Sequence, residues 1–96
     1  MARRVLEHLT GTLSTSSASL VSLMANPAQV LQIKQAQITV QDNPIYFRWD
    51  GVGPTDDDNL LPKGDTYVLE QDWSLFLGLT LAAPSGDARY AIDLMG

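Results

Sequence analysis

Apolar and polar residues alternate with a period of two through much of this chain. The apolar positions of residues 35–40 are separated by glutamine and threonine, and those of residues 89–94 are separated by alanine or charged residues. Alternation of this kind is typical of antiparallel strands that bury one face. Two further stretches are rich in β-branched and aromatic residues, which favour strands. The pattern therefore predicts strands over residues 35–40, 45–49, 66–70 and 89–94.

Turn residues between these stretches suggest how the strands connect. Residues 41–44 read Gln-Asp-Asn-Pro, a typical turn sequence, and lie between two predicted strands. This predicts a β-hairpin over residues 33–49 with a loop of about four residues. A further strand is predicted over residues 74–81, where every second position is leucine: Leu75, Leu77, Leu79 and Leu81.

The N-terminal third is less regular. Residues 14–17 are a polar cluster that can cap a helix, and residues 18–24 then give one or two helical turns that end before Pro27. This is the only helix that the sequence predicts. Residues 1–13 fit either a helical face or a strand, although a glycine and two threonines favour the strand. Alternatively, residues 1–12 are an N-terminal arm that orders on a partner.

Taken together, the pattern predicts a mainly β fold. Turn signals recur about every 8–12 residues, which is the spacing of a sandwich or small barrel. The expected fold is a small antiparallel β-sandwich or barrel with one short N-terminal helix. A length of 96 residues is that of one domain, so residues 1–96 are predicted to form a single unit.

Charge and hydropathy argue against several classes of partner. The chain has 11 acidic and 6 basic residues and a net charge of −5, which repels the phosphates of nucleic acid. No apolar run approaches the roughly 18 residues that a membrane-spanning helix needs. We therefore expect neither nucleic-acid binding nor membrane insertion. There is no cysteine, so disulfides and thiolate metal sites are absent.

The candidates for chemistry are few. His8 is the only histidine, and no nucleophile-elbow motif accompanies it. Asp56, Asp57 and Asp58 suggest a calcium loop, but calcium loops place oxygen ligands at alternate positions, and three consecutive aspartates cannot all face one ion. We expect no enzyme, no catalytic residue, no metal and no cofactor. The three aspartates are predicted to form a solvated acidic loop that can meet a basic patch on another chain.

Aromatic and aliphatic residues are more abundant than one buried face requires. Residues 45–47 and 75–81 carry apolar groups on both faces of their predicted strands, which indicates either a two-sheet core or a buried subunit contact. Most aromatic rings are expected in the core. Tyr67 and Trp73 are predicted partner contacts, and with Tyr46 they are also the rings that could stack on a sugar.

The centre of the chain carries a recognisable order of residues. It reads Phe47-Arg48-Trp49-Asp50-Gly51, then Pro54-Thr55, then Leu61-Pro62-Lys63-Gly64-Asp65. This order resembles the Arg-x-Asp-Gly…Pro-Thr…Gly-Asp pattern of small virion structural proteins of tailed bacteriophages and prophages, of the capsid decoration (cement) type. The resemblance covers about residues 10–94. It departs at residues 56–59, where such proteins often have small residues and a glycine.

The resemblance implies a β-sandwich or barrel that is a component of the virion, assembled in the host cytoplasm. It implies a non-enzymatic protein that stabilises the head by contacts between capsid subunits, with the major capsid protein or another virion protein as its partner. We expect a homo-oligomer, with a trimer favoured. The alternatives are a carbohydrate- or receptor-binding module and a head–tail or tail accessory protein.

The motif also has a physical reading that needs no family. Gly51 permits a turn with positive φ after the strand, and Pro54 stiffens the loop. The planar guanidinium of Arg48 can hold loop carbonyls or aspartates. Gly64 and the residue after it turn the chain into the next strand. The predicted structural loop consists of Arg48, Asp50, Gly51, Pro54, Thr55, Gly64 and Asp65.

Overall fold

Two four-stranded antiparallel sheets enclose the core in the computed structural model of the chain, which describes residues 4–51 and 59–96. The strands are β1 (Val5–Leu13), β2 (Ala18–Ser19), β3 (Gln35–Val40), β4 (Ile45–Arg48), β5 (Asn59–Leu61), β6 (Asp65–Glu70), β7 (Thr80–Ala82) and β8 (Ala88–Met95). The helical elements are α1 (Leu20–Leu23), the 3-10 helix η1 (Pro27–Gln32) and α2 (Trp73–Leu77).

The predicted mainly β fold is confirmed as two facing sheets. The first sheet has the order β1-β8-β3-β6 and the second the order β2-β7-β4-β5. Their inner faces share one apolar core, to which Ile38 and Ile92 contribute from the first sheet and Ile45 and Leu81 from the second. All four side chains are fully or almost fully buried. The strands predicted over residues 35–40, 66–70 and 89–94 are present.

The predicted hairpin over residues 33–49 is wrong. β3 pairs with β6 and β8 in the first sheet, whereas β4 pairs with β5 and β7 in the second. Residues 41–44 therefore carry the chain from one sheet to the other. Both strands bury one face against the same core, so apolar and polar residues alternate along them as they would in a hairpin. Periodicity identifies a strand but does not identify its neighbour.

The predicted strand over residues 74–81 is also wrong in its first half. α2 occupies Trp73–Leu77, and only Thr80–Ala82 at the end of the stretch is β7. Phe76 is fully buried and Leu75 and Leu77 on either side of it are exposed, whereas the predicted strand would have buried the two leucines. Leucine has a high helix propensity, so the sequence of this stretch is compatible with a helix. With η1, two short helical elements are added to the predicted one.

The first strand lies at an edge of its sheet. β1 pairs with β8 from Val5 to Leu13, with an irregularity between Val5 and Glu7. Leu9 and Leu13 enter the core, so the strand interpretation of this segment is confirmed. Deletion of residues 1–12 would therefore remove part of the sheet together with any arm, and it would not test an arm by itself.

All three helical elements lie at one end of the sandwich. Met95 at the end of β8 pairs with both Val5 and Gln35, and Gln35 also pairs with Glu70. The beginnings of β1 and β3 therefore lie at the same level as the ends of β6 and β8. η1 leads into β3, α2 links β6 to β7, and α2 packs against both η1 and α1. We call this region, formed by α1, η1, α2 and the adjoining strand ends, the helical end.

An ion pair holds the crossover at the opposite end. Asp42 accepts hydrogen bonds from the backbone N–H and from Nε of Arg89, both at 2.9 Å. These bonds lower the pKa of Asp42 below its usual 3.8, with the backbone N–H as the larger cause. The carboxylate therefore ties residues 41–44 to the beginning of β8.

We expect the Asp42→Asn variant to be slightly less stable than the wild type at pH 7 and to lose that difference in acid. Because the folded-state pKa is lowered, the contribution is complete above the unfolded pKa of about 4 and disappears as the pH falls through the folded value. Thermal midpoints at pH 7 and about pH 2.5 test this. A difference that stays constant down to that pH would contradict the assigned role.

Candidate functional site

The motif residues shape the chain where it leaves β4. The Arg48 guanidinium donates through Nε to Oδ1 of Asp50 at 3.0 Å, and its Nη2 contacts Oδ2 of the same carboxylate. This is the planar two-point contact that arginine makes with a carboxylate. The turn that follows has the predicted positive φ, 80° at Gly51. Arg48 and Asp50 thus fix the exit of the strand in a defined direction.

That exit is attached to the end of α2. The Gly51 N–H donates to the carbonyl of Gly78 at 2.8 Å. The two segments approach so closely that a Cβ on Gly78 would lie 2.1 Å from the carbonyl oxygen of Trp49. The Trp49 ring then packs edge-on against Phe76 of α2, with centroids 5.5 Å apart. The motif and α2 therefore form one unit at the helical end.

Gly78→Ala should destabilise the protein by about 1–3 kcal/mol, because the added methyl group collides with backbone. The substitution should also expose the Gly51 amide to hydrogen exchange. Gly64→Ala is the control, because Gly64 has φ 86° but no atom lies within 4 Å of an added Cβ. This variant should suffer backbone strain, while the Gly51 amide stays protected from hydrogen exchange. A stabilised Gly78→Ala variant, the usual result at an unconstrained glycine, would contradict the close contact.

The remaining predicted site residues are dispersed. Gly64 has φ 86°, as the turn before β6 requires, and the Asp65 carboxylate accepts the N–H of Thr66 at 2.8 Å. Tyr67 is half-buried, and its hydroxyl donates to the Pro62 carbonyl at 3.0 Å. Trp73 lies at the helical end, at the beginning of α2. Pro54, Thr55, Asp56, Asp57 and Asp58 lie outside the described residues.

Exposed apolar side chains are concentrated at the helical end. The described residues include seven large apolar side chains with substantial exposure, and five of them belong to this end: Val5 (54%), Leu31 (58%), Trp73 (38%), Leu75 (38%) and Leu77 (46%). The other two are Leu60 on β5 and Val68 on β6. Single exposed apolar residues are ordinary, but a concentration of them at one end of a domain favours an interaction at that end.

α2 is the centre of this surface. Of its four apolar residues only Phe76 is fully buried, while Trp73, Leu75 and Leu77 each keep more than a third of their surface exposed. We refer to Leu31, Trp73, Leu75 and Leu77 as the docking surface. Sequence reasoning identified Trp73 and the apolar surplus, but not which leucines face outward.

Polar contacts on the outer face of the first sheet have a structural role. Nδ1 of His8 on β1 contacts Oδ1 of Asp93 on the neighbouring β8, and the two residues are directly paired in the ladder. Both side chains are open to solvent. Within residues 4–51 and 59–96, no group of three or more His, Cys, Asp or Glu side chains is placed to hold a metal ion. The histidine and aspartate form a cross-strand pair.

Comparison of the chain with protein-family models, with curated proteins and with solved structures gives no match. In the part of the chain that is described, no helix has both the length and the apolar character needed to cross a membrane. The proposed function therefore rests on the docking surface and on the motif beside it.

Proposed function

We propose that this chain is a non-enzymatic structural protein of a tailed-bacteriophage virion, of the capsid decoration (cement) type. Its partner is the major capsid protein or another virion protein, and it acts in several copies, with a trimer favoured. It assembles in the host cytoplasm and remains on the particle. The observation that carries the proposal is the docking surface, in which four large apolar side chains are exposed at one end of a small sandwich.

The position of the motif supports this assignment. The Arg48–Asp50 contact and the Gly51–Gly78 hydrogen bond attach the motif loop to α2, which carries most of the docking surface. The motif that resembles virion proteins is thus in direct contact with the end of the helix that carries most of the docking surface. Asp56, Asp57 and Asp58 follow the motif directly in sequence and supply negative charge for a basic patch on the partner.

A carbohydrate- or receptor-binding role is the second candidate, carried by Trp73, whose ring is partly exposed. Stacking on sugars needs accessible aromatic faces. Tyr46 and Tyr67 are both half-buried, and the Tyr67 hydroxyl is already bonded to the Pro62 carbonyl. Aliphatic leucines next to Trp73 favour a protein partner over a sugar. A head–tail or tail accessory role uses the same surface chemistry at another location on the particle.

The proposal is tested by adding the purified chain to capsids assembled without it and separating the particles by sedimentation. We expect saturable binding at a fixed number of copies per capsid subunit, together with greater resistance of the shell to heat. Binding to isolated tails and not to heads would replace the decoration role by the accessory one. Binding to neither, with binding to glycans, would support the second candidate.

A further inference from the structure

The first sheet ends in two strands whose outer sides are unpaired within the described part of the chain. β1 forms one edge and β6 the other. An open edge presents backbone N–H and C=O groups to any strand that can lie beside it, and proteins protect such edges unless they are used. β6 is only lightly protected, because its charges are confined to its two ends, at Asp65 and Glu70, while Val68 near its middle is 52% exposed.

The strand directions allow the two edges to meet. Every neighbouring pair in the first sheet is antiparallel, so β1 and β3 run one way and β8 and β6 run the other. A second copy placed beside β6 in the same orientation therefore presents its β1 antiparallel to β6. The alternation of the sheet then continues without a break from one copy to the next.

Charge distinguishes this arrangement from pairing between two identical edges. If β6 paired antiparallel with β6 of a second copy, no basic residue of either strand would lie opposite Glu70, because β6 contains none. In the mixed arrangement, the ladder levels bring the beginning of β1, at Val5, beside Glu70. Arg4, an exposed cation, immediately precedes that position.

The other levels are compatible as well. Thr39 of β3 pairs with Thr66 of β6, and their hydroxyls are 2.9 Å apart. At the same level β1 carries Thr10, so the second copy adds another threonine to this row. His8 of the second copy falls at the level of Val68. Neither Thr10 nor His8 thus lies opposite a residue of like charge on β6.

We propose that copies of this chain associate head to tail through the edge of β1 of one copy and the edge of β6 of the next. Such a contact is heterologous, and it gives a closed ring when the rotation between copies is suitable. The inference goes beyond the proposed function, because the contact between copies needs no particle. In a trimeric ring, each copy would use both edges of its first sheet.

Sedimentation equilibrium of charge-reversed variants tests the contact. Arg4→Glu and Glu70→Arg should each weaken self-association by about fivefold or more at low salt, since each creates a like-charge contact at the rim of the interface. An equimolar mixture of the two variants should associate more tightly than either alone, because opposite charges face each other again across the mixed contacts. Lys63→Glu and Asp87→Arg make the same charge changes at the opposite end of the sandwich and are the controls.

Three results would overturn the proposal. A wild-type chain that stays monomeric at high concentration excludes it, and so do charge-reversed variants that associate like their controls. A Glu70→Arg variant that associates more tightly than the wild type also excludes it, because the added arginine should oppose Arg4 across the contact. The decoration role is judged separately: a monomer that still binds capsids refutes the edge contact and the favoured trimer but not the decoration role, and an oligomer that does not bind them refutes only the decoration role.

Discussion

Replacing Phe76 by alanine should lower the free energy of unfolding by about 3–5 kcal/mol, the largest effect that we expect from one substitution in this chain. Phe76 is fully buried, and it is the only residue of α2 that enters the core. Its ring meets Trp49 edge-on, and Trp49 meets Phe47 at 5.8 Å in the same way. The substitution leaves a cavity and also removes an aromatic neighbour from the motif loop.

The loss is large compared with the whole stability of the protein. A chain of this length is stable by about 5–14 kcal/mol, and 1 kcal/mol shifts the thermal midpoint by about 4–8 °C. Phe76→Ala should therefore lower the midpoint by at least about 12 °C. Urea unfolding followed by circular dichroism measures the same change at constant temperature.

Leu77→Ala is the matched control in the same helix. Leu77 is 46% exposed and only about half of its side chain is covered, so its truncation should cost about 1 kcal/mol, well below the loss for Phe76→Ala. Equal losses for the two variants would mean that Leu77 is as buried as Phe76, and the outward orientation of the docking surface would then be wrong.

The second large effect concerns binding and leaves folding intact. The double variant Leu75→Glu with Leu77→Glu should reduce affinity for the capsid by about 100-fold, which is about 2.7 kcal/mol. Burial of a leucine side chain contributes about 1.5–3 kcal/mol, and roughly half of each side chain is still available for a partner to cover. The two carboxylates would also be left desolvated in an apolar contact.

Leu60→Glu is the control for this variant. Leu60 is 47% exposed, close to the value of Leu77, but it lies on β5 and outside the docking surface. It should bind capsids like the wild type, and all three chains should have similar thermal midpoints. Loss of binding in Leu60→Glu equal to that of the double variant would show that general surface polarity, and not the helical end, determines binding.

The sequence predicts those parts of the fold that a local pattern of apolar and polar residues determines. Gln35–Val40 and Ala88–Met95 alternate strictly, and strands that bury one face leave that trace in any topology. Residues 41–44 did not reveal that the chain changes sheets there, since a turn between two alternating stretches has the same composition in a hairpin. Strand neighbours are decided by packing between distant segments, which the local pattern does not encode.

The leucines of residues 75–81 show the same limit at the site. They are equivalent in sequence, yet Leu79 and Leu81 are fully buried while Leu75 and Leu77 are exposed. The division arises at Gly78, where α2 ends and the chain makes its close contact with Trp49. The apolar surplus predicts either a two-sheet core or a contact with a partner, and the break between helix and strand separates the leucines of the core from those that stay exposed.

The most direct test of the docking surface is the orientation of the chain on the particle, measured by electron cryo-microscopy of capsids that carry it. We predict that α1, η1 and α2 face the shell, with Trp73, Leu75 and Leu77 covered by capsid subunits. A map in which these helices point into solvent while another face of the sandwich contacts the shell would contradict the account.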